Sequence, residues 1–355
     1  MLPEIWYPVG QCCFSPFHVA TLPMAKTVVA AIDQLLRDSI NLDKDVVKTA
    51  RASRDWLLGQ ITALPVKDEA FPRLYLDKNL HYGSFARGTK IRALDDIDLI
   101  VGVSALGTTY SETGHTVTLR VPDGIALRNL CYDGTNHLNS RKVINAFVGR
   151  LTEIPQYKTA EIKRNGSAAV LNLTSYPWNF DIVPGFFTTP EWDGRTYYLI
   201  PDGNGQWMKT DPRIDEQRTY SINKRHGGYL WNVMRLTKFW NKRRSVRTMP
   251  SYLLECMVLN LYESRLNQAS ARPEAEIPRV LRHISHTVLT DINDPKGIQG
   301  NINTLTRDDR IQISTKASTH AQDAETALND QARGDERAAI IRWAEVFGTD
   351  LPAYG

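Results

Sequence analysis

Polar and apolar positions alternate at the start of the stretch 96–103, which reads DIDLIVGV, and this alternation predicts a β-strand. On a strand, side chains two residues apart project from the same face, so Asp96 and Asp98 can converge on one point. Ile97 and Leu99 then face the core. We therefore expect the chemistry of the protein to be organised around this strand.

Apolar residues at spacings of three and four predict amphipathic helices in much of the chain. The expected helices span residues 25–40, 43–64, 139–152, 229–243, 250–262, 322–333 and 335–347. Asp43 is the expected N-cap of the second helix, with Pro65 just past its end. Because the first two helices precede the acidic strand, we expect both to brace its back.

The other segments predict further strands and loops. Irregular structure is expected at residues 1–22, at 104–138 (a long exposed loop or a short hairpin) and at 291–318 (a mobile loop). Strands are expected at residues 158–163 and 168–173, with a turn at 164–166 between them. Asp181 follows between apolar neighbours in the run FDIVP. A third carboxylate could thus reach the first two from a neighbouring strand.

The paired acids predict a cation site. Two carboxylates side by side repel each other and tend to raise one pKa, unless a cation neutralises them. Mg²⁺ is the natural occupant, because it prefers hard oxygen ligands and binds through one or two carboxylates plus substrate phosphates. Gly83 and Ser84 precede Asp96 by eleven intervening residues. That gap lets the chain turn back, so that backbone N–H groups near the carboxylates could cradle a phosphate.

Composition sets only broad limits. The 355 residues can bury a sizeable core and suggest two lobes. A hydrophobic content of 42% and a charged content of 23% are ordinary for a soluble globular protein. The net charge of +4 allows a polyanionic substrate without requiring one. The cysteines are too few and too irregular for a disulfide framework or a CxxC zinc site: Cys12, Cys13, Cys131 and Cys256.

These features favour a reducing cytoplasm. The start, MLPEIWYPVG, lacks a basic region followed by an apolar run. We also find no apolar stretch of about 18 residues that could span a membrane. The expectation is a cytoplasmic protein that does not engage a membrane.

Four motifs together resemble a known family. The stretches GSFARGT, DDIDLIV, FDIVPGF and PSYLLE are similar to those of the cGAS-like bacterial nucleotidyltransferases (CD-NTases), relatives of the oligoadenylate synthases within the DNA polymerase β-like superfamily. The resemblance covers roughly residues 25–352. It implies an α/β (α+β) bilobed fold, a polymerase β-like core sheet with a helical second lobe. The expected domains are an N-terminal extension (1–22), the nucleotidyltransferase core with its bracing helices (23–205), a helical lobe (206–350) and a tail (351–355).

The resemblance also implies roles for the acidic strand and its turn. Asp96, Asp98 and Asp181 would hold two Mg²⁺ ions, with Mn²⁺ able to substitute, and Asp181 would lie nearest the attacking ribose hydroxyl. Gly83 and Ser84 would bind the triphosphate of the donor nucleotide. The alternatives are a solvated edge for the Asp-x-Asp pair, a helix cap or surface ion pair for Asp181, and an ordinary tight turn for the Gly-Ser pair.

Three later residues complete the implied site. Lys238 and Ser251 would contact phosphates, and Tyr252 would stack on a base. Stacking tolerates any base, so Tyr252 says little about specificity. The alternatives are a surface lysine with a buried stem, an ordinary helix cap and a plain core tyrosine, respectively.

The implied activity is the joining of nucleoside triphosphates into a cyclic di- or trinucleotide second messenger, with release of pyrophosphate. Such enzymes resemble the signal generators of antiphage defence (CBASS), whose messenger activates a downstream effector. Two other functions stay open: transfer of one nucleotide or a linear tail onto RNA or protein, and a catalytically silent nucleotide sensor. The intact trio of acids argues against the silent sensor.

The resemblance bears on partners as well. Nucleic acid is not required for the implied reaction. Some family members are joined through their C-terminal residue to a target by a ubiquitin-transfer-like partner, which would act here on Gly355, although an ordinary frayed terminus explains the tail equally well. Cys12, Cys13 and His18 do not match the zinc insertion of the animal DNA sensor, so we expect no zinc. His283 and His286, three residues apart, are expected on a solvated helix face.

Overall fold

The computed structural model describes residues 24–355. The expected irregular extension at residues 1–22 lies outside the described residues, and so do Cys12, Cys13 and His18, on which the expectation of no zinc insertion rests. Within residues 24–355, no helix is both long and apolar enough to cross a membrane.

Strands form a mixed sheet and one small pair. Their bounds are β1 Met24–Ala25, β2 Leu80–Tyr82, β3 Asp96–Val103, β4 Thr109–Thr113, β5 Thr116–Arg120, β6 Glu161–Asn165, β7 Ala168–Asn172, β8 Asn179–Phe187, β9 Tyr198–Pro201, β10 Trp207–Thr210 and β11 Ala353–Tyr354. In the described part of the chain, nine strands form one sheet with the order β2-β3-β8-β9-β10-β5-β4, and β7 pairs with β6 and β8. β3 and β8 run parallel. The acidic strand therefore lies inside the sheet, between β2 and β8.

Helices cover one face of the sheet and build a second lobe. Their bounds are α1 Val28–Leu35, α2 Lys44–Thr62, α3 Leu64–Lys67, α4 Gly83–Ala86, α5 Ser140–Thr152, α6 Pro212–Arg225, α7 Leu230–Asn241, α8 Ser251–Glu263, α9 Ile277–Thr287, α10 Arg307–Ala332 and α11 Glu336–Phe347. A π-helical turn, Leu36–Ile40, continues α1. The Asp43 carboxylate accepts the backbone N–H groups of Asp45 and Val46 at 2.7 and 3.3 Å, which confirms the predicted N-cap of α2.

Two large apolar clusters define the lobes. In the sheet lobe, α2 and α5 pack on the face of β3 that carries Ile97, Leu99 and Val101. The buried residues of the second cluster come mainly from α1, the π-turn and helices α6 to α11, with Trp240 and Trp343 among the largest buried side chains. Because the acids of β3 alternate with Ile97 and Leu99, the first cluster holds the carboxylates on the opposite face of the sheet.

The first helix packs differently from the expectation. The prediction that both N-terminal helices brace the acidic strand is wrong for α1, whose Val28, Ile32 and Leu35 are buried in the helical lobe. β1, just before α1, pairs in parallel with β11. An apolar stripe shows that one face of a helix is buried, but it does not say which partner covers it. The domain boundaries themselves stay a prediction.

The segment expected as one mobile loop is only partly a loop. α10 begins at Arg307, capped by the Thr306 hydroxyl, which accepts the backbone N–H of Asp309 at 3.2 Å. Its buried face consists mainly of alanines with Ile313, so the apolar pattern of its first half is weak. The preceding loop is ordered around Asp294, whose carboxylate accepts three backbone N–H groups.

A buried histidine in the helical lobe links stability to pH. The indole N–H of Trp240 donates to Nδ1 of His320 at 2.8 Å, and His320 is 5% exposed. Burial, with the positive charges of Arg243 and Lys316 nearby, lowers the pKa of His320 from 6.5 to about 4. The folded protein therefore holds this imidazole neutral, with Nδ1 as the acceptor.

We expect the free energy of unfolding to decrease as the pH falls from 6.5 towards about 4. In that window the unfolded state binds the proton and the folded state does not, so each pH unit costs up to about 1.4 kcal/mol. His320→Gln keeps an acceptor for Trp240 without titrating, and denaturant unfolding should show a shallower dependence on pH. Equal slopes for His320→Gln and for the exposed control His286→Gln would contradict this assignment.

Candidate active site

Two neighbouring strands carry the three acids. In the parallel pair of β3 and β8, Asp98 lies opposite Asp181, and Asp96 lies opposite Asn179. Register partners in adjacent strands project to the same face, and so do residues two apart on one strand. The prediction that Asp181 approaches the first two acids from a neighbouring strand is confirmed. All three carboxylates are partly exposed on that face.

A tight turn lies against the acids. β2 pairs antiparallel with β3, which places Tyr82 opposite Asp98. At Gly83 the chain leaves the strand with a φ of +75° and enters α4. A Cβ atom at Gly83 would overlap the carboxylate of Asp98. Only glycine combines this backbone conformation with so close an approach, so the expected return of the Gly-Ser backbone to the carboxylates is confirmed.

Backbone bonds fix the residues that follow. We call residues 83–90 the Gly83 turn. The carbonyl oxygen of Ser84 accepts the backbone N–H groups of Thr89 and Lys90, both at 3.0 Å. The carbonyl of Gly88 accepts two N–H groups of the Arg235 guanidinium, at 3.1 and 2.7 Å. Arg235 lies on α7, so a side chain of the helical lobe binds the backbone of the Gly83 turn.

The electrostatics of the acids show unmatched negative charge. Burial, with the charges of Asp96 and Asp181, raises the pKa of Asp98 to about 7. Burial and Asp96 also raise the pKa of Asp181, although Asn179 donates to its Oδ1 at 2.9 Å. Burial and the same three carboxylates raise the pKa of the Tyr82 hydroxyl. The site therefore has a strong negative potential with too little positive charge to balance it.

One lysine offsets part of this charge. The ammonium of Lys90 pairs with the carboxylates of both Asp95 and Asp96. Its side chain is 10% exposed, whereas that of Asp95 is 62% exposed. Lys90 therefore bridges Asp96, the first residue of β3, and Asp95 in the loop that precedes β3.

The donor chemistry fits a divalent cation. Within residues 24–355, no three His, Cys, Asp or Glu side chains are arranged to hold a metal ion as they stand. Asp96, Asp98 and Asp181 nevertheless offer hard oxygen donors on one face, and burial together with neighbouring carboxylates raises the pKa values of Asp98 and Asp181. A divalent cation supplies the charge that relieves such repulsion.

Comparisons with known proteins identify the family. No family model matches the chain. A protein of Bacillus cereus (strain VD146), named a probable cyclic nucleotide synthase, is 40% identical over 334 residues, which cover 93% of this chain and 99% of that protein. The chain belongs to the cGAS-like bacterial nucleotidyltransferases, the CD-NTases.

Solved structures show the same CD-NTase fold. The structure of E. coli MS115-1 CdnC with ATP has a TM-score of 0.66 at 16% identity and covers 91% of this chain and 98% of its own. Vibrio cholerae DncV cyclic AMP-GMP synthase has a TM-score of 0.54 at 14% identity, with coverages of 77% and 69%. The predicted fold, a polymerase β-like core sheet with a helical second lobe, is confirmed.

Lys238 of this CD-NTase lies inside an ion pair. It projects from α7, its side chain is 5% exposed, and its Nζ donates to Oε1 of Glu255 at 2.8 Å. Burial lowers the pKa of Lys238, and Glu255 opposes that shift. The predicted contact of Lys238 with phosphate stays a prediction.

The two α8 residues have different surroundings. Pro250 occupies the N-cap position, and Ser251 is an exposed residue of the first turn rather than a cap. The hydroxyl of Tyr252 donates to Oδ1 of Asp215 at 2.8 Å, and Lys296 Nζ lies 4.2 Å from the centroid of its ring. Nζ of Lys296 also donates to the Tyr252 hydroxyl, so Lys296 lies towards the hydroxyl end of the ring.

The sequence reasoning missed several residues around the site. Arg87, Thr89 and Lys90 lie in the Gly83 turn, directly after the Gly-Ser pair, and Glu255 lies on α8. A signal for Glu255 was present, because it stands between Leu254 and Cys256 in an otherwise apolar helix. A charge on a buried helix face requires partners, which predicts an ion pair even where the partners are unknown.

Proposed function

We propose that this CD-NTase condenses nucleoside triphosphates into a cyclic di- or trinucleotide and releases pyrophosphate. The observation that carries the proposal is the parallel register of Asp98 and Asp181, with Gly83 packed against Asp98. This arrangement brings the acids together beside a turn suited to a phosphate. The relationship to a named cyclic nucleotide synthase over nearly the whole chain supports cyclic rather than linear product.

Asp96, Asp98 and Asp181 would hold two Mg²⁺ ions, with Mn²⁺ able to substitute. The ions supply positive charge at the phosphate oxygens and favour the deprotonated form of the attacking hydroxyl. Asn179 orients Asp181 through its hydrogen bond, and Gly83 limits where Asp98 can turn. Both contacts fix the direction of the carboxylates before substrate arrives.

The remaining residues would orient the two nucleotides. Gly83 and Ser84 bind the donor triphosphate, and Lys238 and Ser251 contact phosphate oxygens. Tyr252 stacks on a base. ATP is the bound nucleotide in the E. coli CdnC structure, which supports NTPs as the substrates here.

The chemistry is the same at each step. A ribose hydroxyl oxygen, placed near Asp181, attacks the α-phosphorus of a neighbouring nucleotide, and the hydroxyl proton is lost. The bond from that phosphorus to the bridging oxygen of the β-phosphate breaks, and pyrophosphate leaves. A last attack by the free hydroxyl of the chain on its own triphosphate end closes the ring.

The products test this proposal. Purified protein incubated with all four NTPs and Mg²⁺ or Mn²⁺ should form compounds that resist phosphatase and have the masses of cyclic di- or trinucleotides. Linear or macromolecule-attached product would instead support nucleotide or tail transfer onto RNA or protein. Tight nucleotide binding without turnover would indicate a silent sensor.

The biological setting is a proposal of the same kind. The product would act in antiphage (CBASS) signalling in the cytoplasm, through a downstream effector and without a membrane or a nucleic acid as partner.

A ubiquitin-transfer-like protein would act on Gly355, which is exposed and whose N–H donates to the carbonyl of Ala25 at 3.3 Å. Unchanged conjugation in cells after deletion of Gly355 would contradict this last part.

A further inference from the structure

Glu255 is a buried acid that joins the two lobes beside the site. It lies on α8, and its side chain is 2% exposed. Its Oε2 accepts the Nε–H of Arg87 at 3.1 Å and pairs with Nη2 of the same guanidinium at 3.0 Å. Its Oε1 accepts Nζ of Lys238 at 2.8 Å and the hydroxyl of Thr89 at 3.0 Å. Each carboxylate oxygen thus has two donor atoms within about 3.1 Å, and two of the three residues involved belong to the Gly83 turn.

The contacts of Glu255 are linked to Gly83 and Ser84 by backbone hydrogen bonds within the turn. Arg87 and Thr89 flank Gly88, whose carbonyl is held by Arg235. The backbone N–H of Thr89 in turn donates to the carbonyl of Ser84, and that of Arg87 donates to the carbonyl of Gly83 at 3.2 Å. The position of Gly83 and Ser84 against β3 therefore depends on anchors that the helical lobe supplies.

We propose that Glu255 is a positioning residue, which holds the Gly83 turn at the distance from Asp98 that the reaction requires. The inference rests on the proposed function. Arg87 and Lys238 have side chains that are only 10% and 5% exposed. Without the negative charge between them, two poorly hydrated cations repel each other, and Arg87 transmits that repulsion to the Gly83 turn.

Glu276 provides a matched control for the loss of a buried acid. It is 3% exposed and accepts the hydroxyl of Tyr262 at 2.8 Å, the guanidinium of Arg265 and the backbone N–H of Ser270 at 2.7 Å. All of these partners lie in the helical lobe. Glu276→Gln therefore removes a buried charge of the same kind without touching the Gly83 turn.

The experiment compares Glu255→Gln and Glu276→Gln in the full chain. We expect both to lower Tm. Only Glu255→Gln should accelerate amide hydrogen exchange in residues 83–90, and its kcat/KM with ATP should fall at least about tenfold, with a raised KM. Glu276→Gln should keep kcat/KM within about threefold of the parent, each protein being assayed at the same interval below its own Tm.

Two results would overturn the inference. The first is that Glu255→Gln has the hydrogen exchange of residues 83–90 and the kinetics of the parent protein. The second is that Glu276→Gln changes hydrogen exchange and kcat/KM as much as Glu255→Gln does. If Glu255→Gln does not fold, Arg87→Lys keeps the charge but loses the two-pronged contact with Oε2, and it should show the same pattern with a smaller fall. If the parent forms no product from NTPs, the proposed function fails, while hydrogen exchange still decides the role of Glu255.

Discussion

Asp98→Asn is expected to lower the rate of product formation by about a thousandfold or more, because a carboxylate that holds a catalytic cation contributes several kcal/mol to the reaction. The same change should leave Tm unchanged or raise it in metal-free buffer. Burial, Asp96 and Asp181 raise the pKa of Asp98 to about 7, so its ionised form opposes folding at neutral pH. Neutral asparagine removes that cost.

Asp95→Asn is the matched control for this experiment. Asp95 is the preceding acid of the same motif, pairs with the same Lys90 and has a side chain that is 62% exposed. It precedes β3, so it is not among the acids that the register of β3 and β8 brings together. We expect its product formation to stay within about threefold of the parent. A loss in Asp95→Asn as large as in Asp98→Asn would show that the acids are wrongly assigned.

Gly83→Ala is expected to lower product formation about a hundredfold or more, since misplacement of a reacting group by about 1 Å has that effect. An added Cβ would overlap the carboxylate of Asp98 and push it out of place. The φ of +75° adds backbone strain for any residue with a Cβ, which should lower the free energy of unfolding by about 1 to 2 kcal/mol. Product rates and thermal unfolding measure the two effects.

Gly114→Ala separates the clash from the strain. Gly114 has a φ of +61° in the turn between β4 and β5, and a Cβ there would meet no atom within 4 Å. The Gly114→Ala variant should lose about as much stability as Gly83→Ala and should keep the activity of the parent. If Gly83→Ala were as active as Gly114→Ala, the close approach of the Gly83 turn to Asp98 would have no catalytic importance.

Local patterns in the sequence were sufficient for much of the site. The alternation of acids and apolar residues in β3 predicted that Asp96 and Asp98 share one face. The apolar neighbours of Asp181 predicted that it could reach them from a neighbouring strand, and the register of β3 and β8 confirms this. The glycine before Ser84 predicted a tight turn, and Asp43 predicted a helix start. Each of these depends on a few consecutive residues whose geometry is set by the backbone.

What the sequence did not provide depends on distant partners. Glu255 and Arg87 are separated by 168 positions, and no periodicity indicates that they meet. The apolar stripe of α1 predicted that one face of this helix is buried, but not that the helical lobe buries it. The buried face of α10 consists mainly of alanines, so its pattern was too weakly apolar to predict the first half of this helix. Tertiary packing decides such contacts, so the shape of the site around the acids needed the structure.

The central claim is that this site closes a nucleotide ring, and the ratio of pyrophosphate released to nucleotide incorporated tests it most directly. Ring closure uses the last triphosphate, so a cyclic product releases one pyrophosphate for every nucleotide it contains. A linear product keeps one triphosphate end and releases one pyrophosphate fewer than its number of nucleotides. We predict a ratio of one, with a product of low mass that resists phosphatase, whereas nucleotides attached to RNA or protein would give the same ratio in a product of high mass. A ratio clearly below one, with product whose terminal phosphates phosphatase removes, would contradict the account.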